Sequence, residues 1–145
     1  MIVREALLSD LPAVLDLYAQ PELDGDGVIS LEEASRVYER MARYPDFRLY
    51  VAELDERVVG TFMLIVMDNL AHGGAPSGLV ESVVVAADMQ GRGIGTAMMQ
   101  HARAHCRSRG CYKMALSSNL KRERAHAFYD GLGFERHGFS FRVNP

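Results

Sequence analysis

The sequence predicts an α/β chain of the α+β type: a mixed, mostly antiparallel central sheet flanked by helices, in one domain over residues 1–145. Three observations predict it. Apolar residues recur at helical spacing in several stretches, and short strand-like runs with turn signals lie between them. One such run, Glu81-Ser82-Val83-Val84-Val85, passes through a glycine-rich loop into a helix and then a further strand, the order that makes a parallel crossover unit. At 145 residues the chain suits a single packed core.

Ile2 to Ala6 reads as a strand, after which Ser9-Asp10 cap a helix with Leu11, Val14, Leu15 and Tyr18 on one stripe. An acidic loop from Pro21 to Gly27 follows. Ser30-Leu31-Glu32-Glu33 is a capping box that opens a second helix, which ends near Tyr44-Pro45. Phe47 to Leu54 and Val58 to Met67 are apolar strands, and Asp55-Glu56-Arg57 between them suits a hairpin. The loop His72-Gly73-Gly74-Ala75-Pro76 precedes a strand from Leu79 to Ala86. Ile94, Ala97, Met98, His101 and Ala102 share one face of a helix that stops at Gly110, and Cys111 to Ser117 forms the next strand, parallel to the one before the glycine loop. Ala125, Phe128, Tyr129 and Leu132 mark a short last helix closed by Gly133, and Phe134 to Val143 reads as a terminal strand or bent hairpin.

Composition narrows the function classes. A net charge of -3 and a pI near 5.9 argue against nucleic-acid binding, which favours a basic face. No apolar run approaches the roughly 20 residues of a membrane span, and Met1-Ile2-Val3-Arg4-Glu5 lacks the pattern of a secretory leader, so a cytoplasmic protein without membrane attachment is expected. Cys106 and Cys111 have neither CxxC spacing nor enough partners for zinc and read as reduced thiols.

The centre of the chemistry is Gln90-Gly91-Arg92-Gly93-Ile94-Gly95-Thr96. Closely spaced glycines let the backbone turn tightly and aim several N–H groups one way, and the helix behind them adds the positive end of its dipole, so the loop is suited to a pyrophosphate. The dinucleotide fingerprint GxGxxG fails because Thr96 stands where its third glycine belongs, and the nucleoside-triphosphate loop fails for want of Lys-Ser or Lys-Thr.

QGRGIG resembles the Gln/Arg-x-x-Gly-x-Gly/Ala loop of the GNAT superfamily of N-acetyltransferases. Ser118-Asn119, followed by Ala125-His126-Ala127-Phe128-Tyr129 and Leu132-Gly133-Phe134, resembles that family's coenzyme-side asparagine and its FYxxxGF element. The resemblance implies the GNAT fold with a splayed parallel strand pair, acetyl-CoA as cosubstrate, and Gln90, Gly91, Arg92, Gly93, Ile94, Gly95 and Thr96 on its pyrophosphate. It further implies that Val83, Val84 and Val85 pair with the pantetheine arm as a strand edge pairs with a peptide, and that Asn119 lies on the coenzyme side. A bulge near Val83 to Val84 would aim an amide at the thioester carbonyl. Pairing through C-terminal strands, frequent in the family, implies a homodimer.

Acetyl transfer to an amine needs a neutral nucleophile, whereas a free alkylamine with a pKa near ~10 is mostly protonated at pH 7. Glu81, two residues before Val83 and expected on the same strand face, is the candidate base; it equally suits a carboxylate that orients substrate or pairs with a basic group. By resemblance Tyr129 stands near the coenzyme sulfur, where its hydroxyl would donate to the departing thiolate, although its apolar stripe also suits a core tyrosine.

Other residues carry less. His101 and His105 lie one turn apart on the helix that must pack on the sheet, which favours packing or surface roles; His72 precedes a glycine pair near the acceptor side. Among Arg92, Arg122 and Arg124, only Arg92 falls in the phosphate loop. Asp24 to Glu33 resembles the later part of an EF-hand loop, but Glu22 stands at the first ligand position and Pro21 interrupts the entering helix, so no metal is assigned and an acidic loop facing the acceptor is preferred. His72 through Val85 with Gly110-Cys111-Tyr112-Lys113 resembles glucosamine-phosphate N-acetyltransferases, and Ser117 to Arg142 resembles aminoalkylphosphonate N-acetyltransferases. Both imply a small-molecule amine acceptor. Ser82 replaces the aspartate usual in the first group, so the acceptor stays open between anionic and cationic amines, and a noncatalytic acyl-CoA sensor and a calcium-binding module remain as alternative functions.

Overall fold

The computed structural model describes residues 1–21 and 27–145, in two compact units, Met1–Ala115 and Leu116–Pro145. The calcium-like loop at Asp24 and Asp26 lies outside the described residues. The sheet has five strands in the order β1-β2-β3-β4-β5. They are β1 (Ile2–Glu5), β2 (Phe47–Leu54), β3 (Arg57–Met67), β4 (Ser77–Val85) and β5 (Lys113–Leu116). The first three pairings are antiparallel and β4 with β5 makes the parallel pair.

Local chemistry explains the joints. Asp55 and Glu56 both adopt left-handed backbone, φ 50° and 62°, as a two-residue hairpin turn requires, so β3 begins at Arg57. In the helix α1 (Leu11–Tyr18) Asp10 gives no side-chain cap, which corrects the sequence reading. Its carboxylate instead accepts from the Leu7 N–H (2.7 Å) and from Arg4, because a guanidinium fork is the stronger partner. The helix α2 (Leu31–Met41) does start as expected, the Ser30 hydroxyl accepting from Glu33 N–H at 3.2 Å, but it stops before Tyr44.

Helices α1 and α2 bury Leu11, Val14 and Ala34 against Leu49 and Val51 of β2. The long helix α3 (Ile94–Ser108) meets the sheet at two glycines. A Cβ on Gly60 would come within 2.9 Å of Met98 Sδ, and one on Gly78 within 2.3 Å of Cys106 Sγ. Small residues at those two points let the helix lie close enough to bury Ile94, Met98, Ala102 and Cys106. At its end Cys111 N–H donates to Cys106 C=O (3.0 Å) and Gly110 N–H to Arg107 C=O (3.1 Å), with Gly110 at φ 71°. This glycine stop fixes where β5 can begin.

In Leu116–Pro145 the helix α4 (Glu123–Gly131) is followed by residues without strand structure. The terminal strand expected at Phe134 to Val143 is therefore not formed: Phe139, Phe141 and Val143 are 91%, 92% and 86% exposed. Alternating residues make a strand only where a neighbour supplies backbone partners. Among the described residues no helix is long and apolar enough to cross a membrane.

Candidate active site

The site is organised by an irregularity in β4. Glu81 opposes Met63 and Val84 opposes Thr61, so Ser82 and Val83 together face the single residue Phe62. This is a β-bulge, with Ser82 forced to φ 52°. The extra residue reverses the alternation beyond it. Val80 opposes Leu64, on the face that carries α3, whereas Val84 packs with Leu17 of α1 on the opposite face. Glu81 consequently shares its face with Val84, not with Val83, because Met63 and Thr61 lie two apart on β3. That corrects the expected facing of Glu81; its side chain is exposed.

Beyond the bulge no strand among the described residues is paired with the outward edge of β4. Tyr112 N–H donates to Pro76 C=O (3.0 Å), which sets the start of β5 beside the start of β4. Four residues at about 3.3 Å each run out near Glu81. On the inner side Ala86 N–H donates to Val59 C=O (2.9 Å), so by alternation Val84 turns its backbone to β3 while Val83 and Val85 aim theirs outward. Of the three valines, Val84 is thus withdrawn from arm pairing, a second correction.

At the end of this edge a 3-10 turn, Ala87–Met89, delivers the chain to the glycine loop. Gly91 and Gly93 adopt φ 75° and 81°, and a Cβ at either would meet nothing within 4 Å. Their role is conformational: they turn the backbone, with open space before it. Gly93 is the N-cap of α3 and supplies no side-chain cap, so the first-turn N–H groups of Ile94, Gly95 and Thr96 keep no intrahelical partner. A diphosphate fits such a nest. Gln90 and Arg92 are exposed, and Arg92 Nη1 lies 3.0 Å from Met89 Sδ. Beside the loop Arg57 forms a bidentate pair with Asp88 (2.7 and 3.0 Å), which holds that carboxylate below its usual range.

Asn119 and Tyr129 belong to Leu116–Pro145. Asn119 Oδ1 accepts from Lys121 N–H (3.0 Å) and its carbonyl pairs with a ring nitrogen of His126 (2.8 Å). The Tyr129 ring stands edge-on to Phe134, centroids 5.5 Å apart, and Phe134 N–H donates to Tyr129 C=O (3.1 Å), which is how Gly133-Phe134 folds back on the helix. Burial raises the Tyr129 pKa, and Arg122 opposes it more weakly, so the phenol keeps its proton at neutral pH.

The remaining candidates have structural partners. His105 Nε2 lies 3.1 Å from Asp46, which also binds Arg109 (3.0 Å), and His101 packs on Tyr50, with its pKa lowered by burial and by His105. His72 stacks on Tyr112 with centroids 4.0 Å apart. Arg122 and Arg124 are exposed. Cys106 is buried and its thiol pushed up to about 12, chiefly by burial, so it is a poor nucleophile. One contributor escaped sequence reading. Gln20, just past α1, reaches β4 through its carboxamide, and no local pattern signals a contact 65 residues away.

Residues 11–134 match the model of the Acetyltransferase (GNAT) family. The chain belongs to the GNAT family of acetyltransferases. Proteins of this family take their acetyl group from acetyl-CoA. A glucosamine 6-phosphate N-acetyltransferase of Trypanosoma brucei brucei is 35% identical over 61% of this chain; the match spans 58% of that relative's length. An aminoalkylphosphonate N-acetyltransferase of Salmonella typhimurium is 31% identical over 67% of this chain and 62% of its own. A putative acetyltransferase from Agrobacterium tumefaciens, of solved structure, aligns with a TM-score of 0.92 at 30% identity over 100% of both chains. The GNAT architecture, a mixed, mostly antiparallel sheet with one parallel pair, is thereby established.

Proposed function

We propose that this GNAT protein transfers the acetyl group of acetyl-CoA directly to a primary amine of a small molecule within a ternary complex. One observation carries the reading: a strand edge at Val83 and Val85 that no other strand among the described residues pairs with leads, past the Gln20 carboxamide, to the glycine turn and the first-turn N–H groups of α3, which have no intrahelical partner. An extended chain of amides suits the edge and a diphosphate suits the nest. Acetyl-CoA supplies a thioester acyl group. The protein's own groups supply the rest. Gln90, Gly91, Arg92, Gly93, Ile94, Gly95 and Thr96 bind the diphosphate, and Val83 and Val85 hold the arm. The outward N–H of Val83, beside the bulge, donates to the acyl oxygen. Glu81 takes the proton of the incoming ammonium, directly or through water, and the Tyr129 hydroxyl gives its proton to the leaving sulfur. Asn119 contributes on the coenzyme side.

The two named relatives point to small amines bearing phosphate or phosphonate as the first acceptors to try. We place the protein in the cytoplasm as a homodimer, which the exposed Phe139, Phe141 and Val143 support. The test is thiol release from acetyl-CoA across glucosamine 6-phosphate, aminoalkylphosphonates and a polyamine, with the acetylated product weighed by mass spectrometry. Release with one amine class and a product heavier by one acetyl group is expected. Coenzyme binding without turnover on any amine would make the protein a sensor, and absence of binding would remove the coenzyme site altogether.

A further inference from the structure

The edge of β4 beyond β5 has a partner that is not a strand. The Gln20 side chain lies against it with Oε1 accepting from Ala87 N–H at 2.6 Å and Nε2 donating to Val85 C=O at 3.3 Å and to Leu17 C=O at 3.0 Å. The orientation of the amide is settled by its neighbours, since only the oxygen can accept from Ala87 and only the nitrogen can donate to two carbonyls. One carboxamide thus gives β4 one acceptor and one donor, as a peptide unit of an adjacent strand would.

Its position divides the edge. Ala87 N–H has a single hydrogen, and Gln20 takes it. Val83 keeps both its outward groups, Val85 keeps its outward N–H, and the Val85 carbonyl retains a second lone pair. On the reading above, the Val83 N–H takes the acyl oxygen, the Val83 carbonyl and the outward groups of Val85 take the amides of the arm, and the first residue past them opens the turn into the glycine loop. Gln20 also follows α1 directly, so the same side chain ties the end of that helix to the donor edge.

We propose that Gln20 is a positioning residue for the coenzyme: its carboxamide stands in for a missing strand neighbour, fixes the corner between β4 and the phosphate nest, and sets the register at which the arm pairs with Val83 and Val85. This rests on the proposed coenzyme site. It makes no contact with the reacting atoms, so its loss weakens donor binding and leaves the saturated rate intact.

The test compares Gln20→Leu with the wild type by titration calorimetry with coenzyme A and by steady-state kinetics with acetyl-CoA. Gln20→Asn, polar but one methylene too short to reach both groups, serves if the leucine variant fails to fold. The expected result is a coenzyme A Kd and an acetyl-CoA KM raised about tenfold, with kcat within twofold and thermal midpoint nearly unchanged. A Kd within twofold of wild type, whatever the midpoint does, overturns the proposal, as does tighter binding, which would make Gln20 a competitor of the arm. Wild-type protein that does not bind coenzyme A would instead remove the site on which the proposal rests, and the two failures are distinct.

Discussion

Arg4 holds two carboxylates at once, Asp10 through both guanidinium arms (2.7 and 3.0 Å) and Glu53 at 2.6 Å, in a partly buried cluster that joins β1 to β2 and to the start of α1. The Arg4 hydrogen bonds, and more weakly the Leu7 N–H, hold the Asp10 pKa below its ordinary value of about 3.9. The unfolded chain therefore binds the proton more readily than the folded one. The stability from this cluster is complete above the ordinary carboxylate pKa and is lost as pH falls through the lower, folded value. Thermal midpoints measured from pH 7 down to pH 3 should drop more steeply for wild type than for Asp10→Asn, which starts lower and lacks this titration. At the site, Glu81→Gln keeps the shape and removes the basic oxygen, so kcat should fall by about 100-fold with the acetyl-CoA KM unchanged, provided that Glu81 accepts the proton. An unchanged kcat would reduce Glu81 to an orienting group. The tight turn of the glycine loop was legible because it is written in residue types, whereas the face that Glu81 takes was not. Gln20 was not, because its partners come from 65 and 67 residues away.

Among elements, β4 and α3 frame the candidate site. The bulge at Ser82-Val83 turns Val80 toward α3 and Val84 toward α1, so one strand serves both layers. No side-chain pattern announces this: the buried residues Val80, Val84 and Ala86 are all even-numbered, as in an unbroken strand, and only the pairing register reveals the inserted residue. Ser82 itself holds left-handed backbone at a cost of roughly 1–2 kcal/mol. Replacing it by glycine should therefore raise the unfolding midpoint slightly, or leave it level where the freer unfolded chain offsets the relief. The contact of α3 with the sheet is less forgiving. Gly78→Ala drives a methyl group into Cys106 Sγ, and chemical denaturation should show a loss of about 1–3 kcal/mol. Cys106→Ala in the same chain should return part of it, since it removes the sulfur that clashes; equal losses in single and double variants would mean that the helix had simply moved away.

At the scale of the whole molecule, the exposed C-terminal segment bears on assembly. Phe139, Phe141 and Val143 alternate with Ser140, Arg142 and Asn144, one apolar and one polar side, and the apolar side is almost wholly exposed. In the proposed homodimer a second copy supplies the sheet edge with which a segment of that pattern can pair. Light scattering behind a sizing column should give twice the mass of 16.1 kDa for wild type and the single mass for the double variant Phe139→Ser, Phe141→Ser. A monomeric wild type at tens of micromolar would remove the homodimer.

The sequence by itself determined the succession of elements, the glycine loop and the family's motifs, because helical period, turn residues and anion-binding backbone are local properties carried by neighbours in the chain. Tertiary structure decided the rest. Which face Glu81 shares depends on the register of β4 against β3, the fate of Val84 depends on which neighbour takes its backbone, and the last apolar residues lack a strand because pairing needs a partner that local sequence cannot provide.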